Sequence, residues 1–144
     1  NKDIRVLPLL EIDFKNCKKQ GEYFYSWEVK EYQGIDPGYP DPEFFCPARL
    51  SREEENAVKK VAQEAHQSLG CSDLSRVDIR LSPESIPYIL EVNALPGLDP
   101  QESNLTRMIK AANLSYTELI NEILETALQR YNIHTQAAKA SSIK

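Results

Sequence analysis

Four polar residues in the middle of the chain have the types and the spacing to bind a cation and an anion side by side. They form two pairs, R-x-D at positions 76–78 and E-x-N at positions 91–93. Each pair lies in a run in which apolar and polar residues alternate, which is typical of a half-buried β-strand. Every second side chain of a strand points to the same face, so the polar members of each run are expected to share one face.

The segment between the two runs predicts a β-hairpin. Residues 82–87, S-P-E-S-I-P, are rich in Pro and Ser, as turns are. The strands are expected at Arg76 to Leu81 and at Tyr88 to Asn93. Strict alternation in the second strand puts Tyr88, Leu90 and Val92 on one face and Ile89, Glu91 and Asn93 on the other.

The register of this hairpin decides which polar residues meet. With the turn centred between residues 84 and 85, Asp78 lies opposite Glu91, and Arg76 lies opposite Asn93. A slip of one residue would turn Glu91 towards the apolar face. The apolar alternation in both strands argues against that slip, so the four side chains are expected to converge.

The converging set predicts a magnesium or manganese site. Two opposed carboxylates repel each other at a cost of up to about 1 kcal/mol. A divalent cation bound between them turns this unfavourable interaction into a favourable one. Carboxylate and amide oxygens are the ligands that Mg²⁺ prefers, and a set without His or Cys argues against zinc. Asp78, Glu91 and Asn93 are therefore the candidate ligands, and Arg76 offers a planar fork for phosphate or carboxylate oxygens.

A solvated strand face would show the same residue types. In that interpretation Arg76 and Arg80 neutralise Asp78 and Glu91, and nothing is bound. On the alternation alone this interpretation is the commoner one, and the residues after Asn93 favour the binding site instead.

The second strand runs directly into an uncharged, tightly turned segment, A-L-P-G-L at positions 94–98. Gly97 has no side chain, so its backbone N–H can come close to a ligand. Ser103 lies where a short helix is expected to begin, and N–H groups at a helix N-terminus can receive an anion. A cation site beside an anion site suits phosphoryl and carboxylate chemistry.

The remaining elements predict an α+β fold, with a mainly antiparallel sheet and helices packed on it. Capping boxes at 51–54 and 115–118 begin two helices, and Gly70 is placed to end the first in a left-handed conformation. A short helix is expected after Ser103. Upstream, strands are expected at Ile4 to Ile12 and at Tyr23 to Lys30, joined by a polar connection, followed by a loop from Gly34 to Pro47. Residues 1–131 are expected to form one domain and residues 132–144 a mobile tail.

Composition excludes several classes of protein. The chain has 144 residues, 41% hydrophobic and 27% charged, so it can fold as one ordinary globular domain. A net charge of −5 argues against non-specific nucleic-acid binding, and no apolar stretch is long enough to cross a bilayer. The five glycines form neither a G-x-G-x-x-G motif nor a P-loop, so a phosphate-cradling loop is not expected within these residues.

The cysteines and histidines predict no site. Three widely spaced cysteines without a C-x-x-C pair are expected to be free thiols in a reducing compartment. His66 falls within a helical pattern and is expected on the helix surface. His134 is equally isolated.

These motifs together resemble the carboxy-terminal part of the ATP-grasp domain of D-alanine–D-alanine ligases. R-V-D-I-R-L followed by P-Y-I-L-E-V-N-A-L-P-G-L carries the resemblance. The resemblance covers nearly the whole chain up to about Tyr131, because four further segments occur in the family's order. Three precede the hairpin, Y-S-W-E-V-K, F-F-C-P-A-R-L and L-G-C, and L-S-Y-T-E-L-I comes after it. It implies an ADP-forming ligase in which ATP phosphorylates one amino acid's carboxylate and the amine of a second attacks the acyl phosphate.

The resemblance also implies roles for single residues. Magnesium would be held by Asp78, Glu91 and Asn93. Arg76 would stabilise the phosphoryl-transfer and tetrahedral species, and Gly97 would donate a backbone N–H near the oxyanion.

Two further roles follow from positions that depart from the family pattern. Ser103 would hold the substrate carboxylate, yet the interval from Asn93 is one residue longer than in well-known ligases. Lys30 would approach the ATP phosphates, yet Glu31 stands where the family commonly has Tyr. These departures leave a ligase for a different amino acid or peptide substrate as an alternative.

The resemblance further implies a longer parent enzyme. The family's amino-terminal domain, its glycine-rich loop and its adenine-binding strand have no counterpart in this chain. The chain is therefore expected to be one part of a cytoplasmic enzyme of peptidoglycan biosynthesis, and to fold without catalysing turnover alone. Its expected partners are ATP, a small amino acid and the rest of the parent chain, with no nucleic acid or membrane; a homodimer is left open. A non-catalytic metal- or phosphate-binding domain is the alternative from another class.

Overall fold

The computed structural model describes residues 4–17, 24, 34–35, 41–101 and 103–133. Within them the fold is α+β, as expected, with two separate two-stranded antiparallel sheets. In chain order the elements are β1 (Glu11–Asp13), β2 (Glu43–Phe45), α1 (Arg52–Ser68), β3 (Arg76–Leu81), β4 (Pro87–Asn93), α2 (Asn104–Ala111) and α3 (Tyr116–Arg130).

The first sheet differs from the sequence prediction. The first strand covers only Glu11–Asp13 and pairs with β2, in a register that places Glu11 opposite Phe45. The predicted loop from Gly34 to Pro47 is therefore wrong at β2, a three-residue strand too short for its periodicity to stand out between Pro42 and Pro47. The strand predicted at Tyr23 to Lys30 lies outside the described residues, apart from Phe24.

An arginine beyond β2 ties the two strands of this sheet together. The Arg49 guanidinium donates to Glu11 Oε1 at 2.6 Å and to Asp13 Oδ2 at 2.7 Å, and it lies 3.5 Å from the centre of the Phe45 ring. Its hydrogen bonds hold the pKa of both carboxyl groups below their ordinary values. Cation–π contact and paired charges therefore stabilise this small sheet.

Helix α1 begins and ends as the sequence predicts. Ser51 Oγ accepts from the Glu54 N–H at 3.2 Å, and Glu54 Oε2 accepts from the Ser51 N–H at 2.8 Å, which completes the capping box. Gly70 follows the helix with φ +63°, the left-handed conformation that ends helices. The helix packs on the β3–β4 hairpin.

His66 contradicts the prediction of a surface histidine. It is only 9% exposed, and its Nδ1 lies 2.7 Å from Ser75 Oγ. The apolar periodicity of α1 indicated which face of the helix is buried. It could not show that Ser75, between α1 and β3, would supply a hydrogen-bond partner for a histidine on that face.

The carboxy-terminal helices also follow their predicted signals. Ser103 is the N-cap of α2, and Ser115 with Glu118 forms the second capping box at α3. Beyond α3, Ile133 N donates to Leu128 O at 2.9 Å. The mobile tail predicted for residues 132–144 stays a prediction. Residues 134–144 lie outside the described part.

The described part of the chain buries a small set of apolar side chains. Cys17 and Ile109 are 1% exposed and Leu119 is 4% exposed. None of the three cysteines, which all lie in the described ranges, forms a disulfide, as predicted. No helix in the described ranges is long and apolar enough to span a membrane.

Candidate functional site

The β3–β4 hairpin brings the four predicted polar residues together. Asp78 is paired with Glu91, and Arg76 with Asn93, as the sequence predicts. Directly opposed residues of an antiparallel pair share a face, with Cβ atoms about 4.5–5.5 Å apart. Two carboxylates, one amide and one guanidinium therefore occupy adjacent positions on one face of a single hairpin.

The half of the hairpin nearer the turn has a different register. There Ile79 pairs with Ile89, and Arg80 pairs with Tyr88, so Leu90 is an extra residue on β4 and forms a β-bulge. The predicted alternation is wrong for Tyr88 and Ile89, because opposed residues share a face: Ile89 joins the apolar face and Tyr88 joins the face of Asp78. Leu90 is 69% exposed.

The turn explains why the bulge is needed. Ser82 N donates to Ile86 O at 3.0 Å, and Ser85 has φ +61°, so the hairpin closes with a three-residue loop rather than the even-numbered turn assumed from the sequence. Ser85 Oγ also donates to Glu54 Oε1 at 2.6 Å, which anchors the turn on the first turn of α1. One extra residue at Leu90 then restores the register that pairs Asp78 with Glu91.

Arg76 and Asp78 form a two-pronged ion pair in this structure. Arg76 Nε lies 2.8 Å from Asp78 Oδ1, and its second nitrogen lies 2.8 Å from Oδ2. Both side chains are partly exposed, at 37% and 39%. Because solvent screens such a pair, it holds the two groups in position more than it stabilises the fold.

Glu91 and Asn93 present oxygens on the opposite strand. Glu91 is exposed, and its carboxylate makes no hydrogen bond or ion pair with any residue in the described ranges. Asn93 Oδ1 accepts from the Leu95 N–H at 3.0 Å, which turns the chain out of β4 and leaves that oxygen a second lone pair.

The donor set fits a hard divalent cation in its chemistry. Two carboxylates and one amide oxygen share this face of the hairpin. Mg²⁺ prefers such oxygen ligands, and none of the four residues offers it the sulfur or imidazole that zinc favours. The residues described include no cluster of three or more His, Cys, Asp or Glu side chains, so the amide of Asn93 would have to serve as the third protein ligand. Asp78 would have to share its oxygens between the cation and Arg76.

The segment from 94 to 101 is held at both ends and open at Gly97. The Asn93–Leu95 hydrogen bond anchors its start, while Tyr116 Oη donates to Leu98 O at 2.6 Å. No atom of the described residues lies within 4 Å of the position that a Cβ of Gly97 would take, and the φ of Gly97 is not positive. The glycine is therefore not demanded by the backbone conformation of this chain or by crowding from its described residues.

Ser103 is placed at the N-terminus of α2 with its hydroxyl already engaged. Its Oγ donates to Asp99 O at 2.7 Å and accepts from the Thr106 N–H at 3.3 Å. Thr106, only 4% exposed, donates to the same Asp99 carbonyl at 2.9 Å. Sequence reasoning missed Thr106 and Tyr116, because a hydroxyl on a helix and a tyrosine after a cap give no signal of the loop that they contact.

Lys30, predicted to approach the nucleotide phosphates, lies outside the described residues. The hairpin, Gly97 and Ser103 are the predicted site residues that the structure places. They follow one another along β3, β4, the segment 94–101 and the start of α2.

Comparison with known proteins identifies the family of this chain. The family described as "D-ala D-ala ligase C-terminus" matches residues 1–125. A D-alanine–D-alanine ligase of Methylacidiphilum infernorum is 37% identical over 133 residues, which cover 92% of this chain and 39% of that protein. One from Synechococcus is also 37% identical, over 95% of this chain and 40% of that protein. The chain thus spans about two fifths of the length of these relatives.

Solved structures agree with the sequence matches. A D-alanine–D-alanine ligase from Bacillus anthracis superposes with a TM-score of 0.64 at 25% identity, over 88% of this chain and 36% of that one. A structure of the ligase from the same organism complexed with ATP gives a TM-score of 0.57 at 28% identity, over 65% of this chain and 35% of that one. The chain therefore belongs to the D-alanine–D-alanine ligase C-terminus family and has the α+β fold of the carboxy-terminal part of these ATP-grasp enzymes.

Proposed function

We propose that this chain supplies the metal- and phosphate-binding part of an ATP-dependent, ADP-forming carboxylate–amine ligase. The observation that carries the proposal is the pairing of Asp78 with Glu91 on one hairpin face, with Arg76 and Asn93 paired beside them. Family membership supports it, as does the ATP bound to the related ligase from Bacillus anthracis. D-alanine is the proposed substrate because the matching relatives carry that name.

The proposed reaction has two steps. A carboxylate oxygen of the first amino acid attacks the γ-phosphorus of ATP, the bond to the β-phosphate oxygen breaks, and ADP leaves. The amine of the second amino acid then attacks the acyl carbon, phosphate leaves with the bonding electrons, and the nitrogen loses a proton. The product would be a dipeptide for peptidoglycan assembly.

The chain's own residues would act mainly by charge stabilisation and positioning. Asp78, Glu91 and Asn93 would hold Mg²⁺ or Mn²⁺, which when bound screens phosphate charge. Arg76, held by Asp78 at 2.8 Å, would present its guanidinium group to the transferred phosphoryl oxygens. The open space at Gly97 suits a backbone N–H that donates to the acyl oxyanion.

Two residues would bind the substrates at the edges of this site. Lys30 would contact ATP phosphates. Ser103 would have to turn its proton from Asp99 O to a substrate carboxylate, and Thr106 could then retain that carbonyl by itself.

The longer interval between Asn93 and Ser103 favours a second candidate, a ligase of the same chemistry for another amino acid. Profiling the complete protein against D-alanine, D-serine and other D-amino acids as second substrate decides between them. The second candidate would be refuted if ADP were released faster with D-alanine than with any of the other second substrates.

Replacing Glu91 by Gln tests the proposal at its centre. The variant removes one charge from the face without changing side-chain volume, so Mn²⁺ binding by the chain is expected to weaken at least tenfold, since about 1.4 kcal/mol is a tenfold change in affinity. ADP release by the complete protein is expected to fall to background. Glu84→Gln is the matched control, because Glu84 lies exposed in the turn of the same hairpin. Equal Mn²⁺ affinity in both variants would refute the metal site.

A further inference from the structure

Three hydroxyl groups converge on two successive carbonyls next to Gly97. Tyr116 Oη donates to Leu98 O at 2.6 Å, and Ser103 Oγ and Thr106 Oγ1 donate to Asp99 O at 2.7 and 2.9 Å. Two helices supply these donors: α2 through its cap and first turn, and α3 through its first residue. The sequence motifs and the resemblance assign a role to Ser103 alone among them.

These contacts fix the peptide groups that follow Gly97. The carbonyl of Leu98 belongs to the peptide plane between residues 98 and 99, and the carbonyl of Asp99 belongs to the next plane. Upstream, the Asn93 amide fixes the N–H of Leu95, and the ring of Pro96 restricts its own φ. The Gly97 N–H therefore lies in a short span between two anchored stretches of backbone.

The position of a glycine in such a span is fixed mainly by contacts of the neighbouring residues. Glycine loses more backbone freedom on ordering than any other residue, and no described residue contacts the position that a side chain of Gly97 would take. The position of the Gly97 N–H therefore depends on the residues that hold the peptide groups on either side of it. Leu98 O is held by one described donor, Tyr116, whereas Asp99 O has two, so Tyr116 is the more sensitive point.

We propose that Tyr116 is a positioning residue of the ligase site, whose hydroxyl holds the Leu98 carbonyl and thereby orients the Gly97 N–H towards the reacting acyl group. The proposal rests on the proposed function for its chemical meaning. Its structural part concerns only this chain. Tyr116 touches no reacting atom in this mechanism and acts through the backbone of residues 97–98.

Tyr116→Phe removes the hydroxyl and keeps the ring, so the packing of α3 should be retained. In the 144-residue chain, ¹⁵N relaxation is expected to show the order parameters of Gly97 and Leu98 falling from the rigid range, about 0.85, towards the flexible range, below about 0.6. In the complete enzyme kcat should fall about three- to tenfold, as for loss of one ordinary hydrogen bond. KM for ATP should not change, because ATP binding does not use the Gly97 N–H.

Tyr131→Phe is the matched control, since Tyr131 is an exposed tyrosine at the far end of the same helix, and it should change neither readout. Unchanged order parameters at residues 97–98 in Tyr116→Phe would overturn the proposal. So would increased mobility with unchanged kcat, because the contact would then be structural only. A wild-type complete enzyme that releases no ADP would instead refute the proposed function, so the two failures can be told apart.

Discussion

Two glycines of this chain have the same free space and opposite backbone constraints. Among the residues that the structure describes, none has an atom within 4 Å of a Cβ added at Gly97 or Gly70, so alanine meets no steric conflict with them at either position. Gly70 has φ +63°, whereas Gly97 lies outside the positive-φ region. Replacing each glycine by Ala therefore separates two effects: backbone strain at Gly70 and blocked access of a ligand to the N–H of Gly97.

The expected stability difference follows from this geometry. Alanine restricts the unfolded chain at either position, which stabilises the folded state by about 0.4–1 kcal/mol. At Gly70 this gain is opposed by the cost of a left-handed alanine, about 1–2 kcal/mol. The unfolded-state contribution cancels in the comparison, so Gly97→Ala should be more stable than Gly70→Ala by about 1–2 kcal/mol.

Urea and thermal unfolding followed by circular dichroism measure this difference. For a chain of about 150 residues, each kcal/mol corresponds to about 2–4 °C in Tm. Gly97→Ala should melt at or slightly above the wild-type temperature, and Gly70→Ala slightly below it. If Gly97→Ala lost as much stability as Gly70→Ala, the backbone described at Gly97 would be wrong.

Activity should separate the two variants in the opposite direction. A methyl group at Gly97 would stand in the space through which a ligand approaches the N–H. Loss of one oxyanion donor typically lowers kcat by about 10²–10³-fold, so ADP release by the complete enzyme should fall by that factor in Gly97→Ala and stay near wild type in Gly70→Ala. A fully active Gly97→Ala enzyme would refute the oxyanion role.

Two further predictions concern stability. Ile109→Ala truncates a side chain that is 1% exposed and should cost about 2–5 kcal/mol by urea unfolding, whereas Ile133→Ala, at a position 54% exposed, should cost less than about 0.5; similar losses would place Ile109 outside the core. Arg49 lowers the pKa of Glu11 and Asp13, so the stability that these carboxylates contribute is present above their ordinary pKa values of 4.5 and 3.8 and is lost as the pH falls through the lowered ones. Arg49→Met should therefore reduce the loss of stability on acidification below pH 4.5, and an unchanged pH slope would show that other carboxylates dominate.

Local patterns were enough to predict the helices and half of the candidate site. The capping boxes at Ser51 and Ser115 depend on contacts three residues apart, so the sequence contains both partners of each. The pairing of Asp78 with Glu91 followed from period-two alternation in two runs and a count across the turn. Such short-range signals survive because they require no knowledge of what packs against the element.

The turn half of the hairpin could not be predicted in the same way. Alternation assumes an uninterrupted strand, and the bulge at Leu90 breaks it. The three-residue turn depends on Ser85 in a left-handed conformation and on its contact with Glu54, 31 residues away in sequence. Only docking of the turn on α1 brings that partner into reach.

The amino-acid sequence was enough to name candidate residues for cation and anion binding. It was also enough to predict that Asp78, Glu91 and Asn93 share one face of the β3–β4 hairpin. Three contacts became visible only in the folded structure: Arg76 with Asp78, His66 with Ser75, and Tyr116 with the carbonyl of Leu98. The difference lies in how far apart in the sequence the interacting residues are. Periodicity and caps are set by neighbours along the chain, whereas the partner of a polar side chain is set by which distant element packs within hydrogen-bonding distance of it.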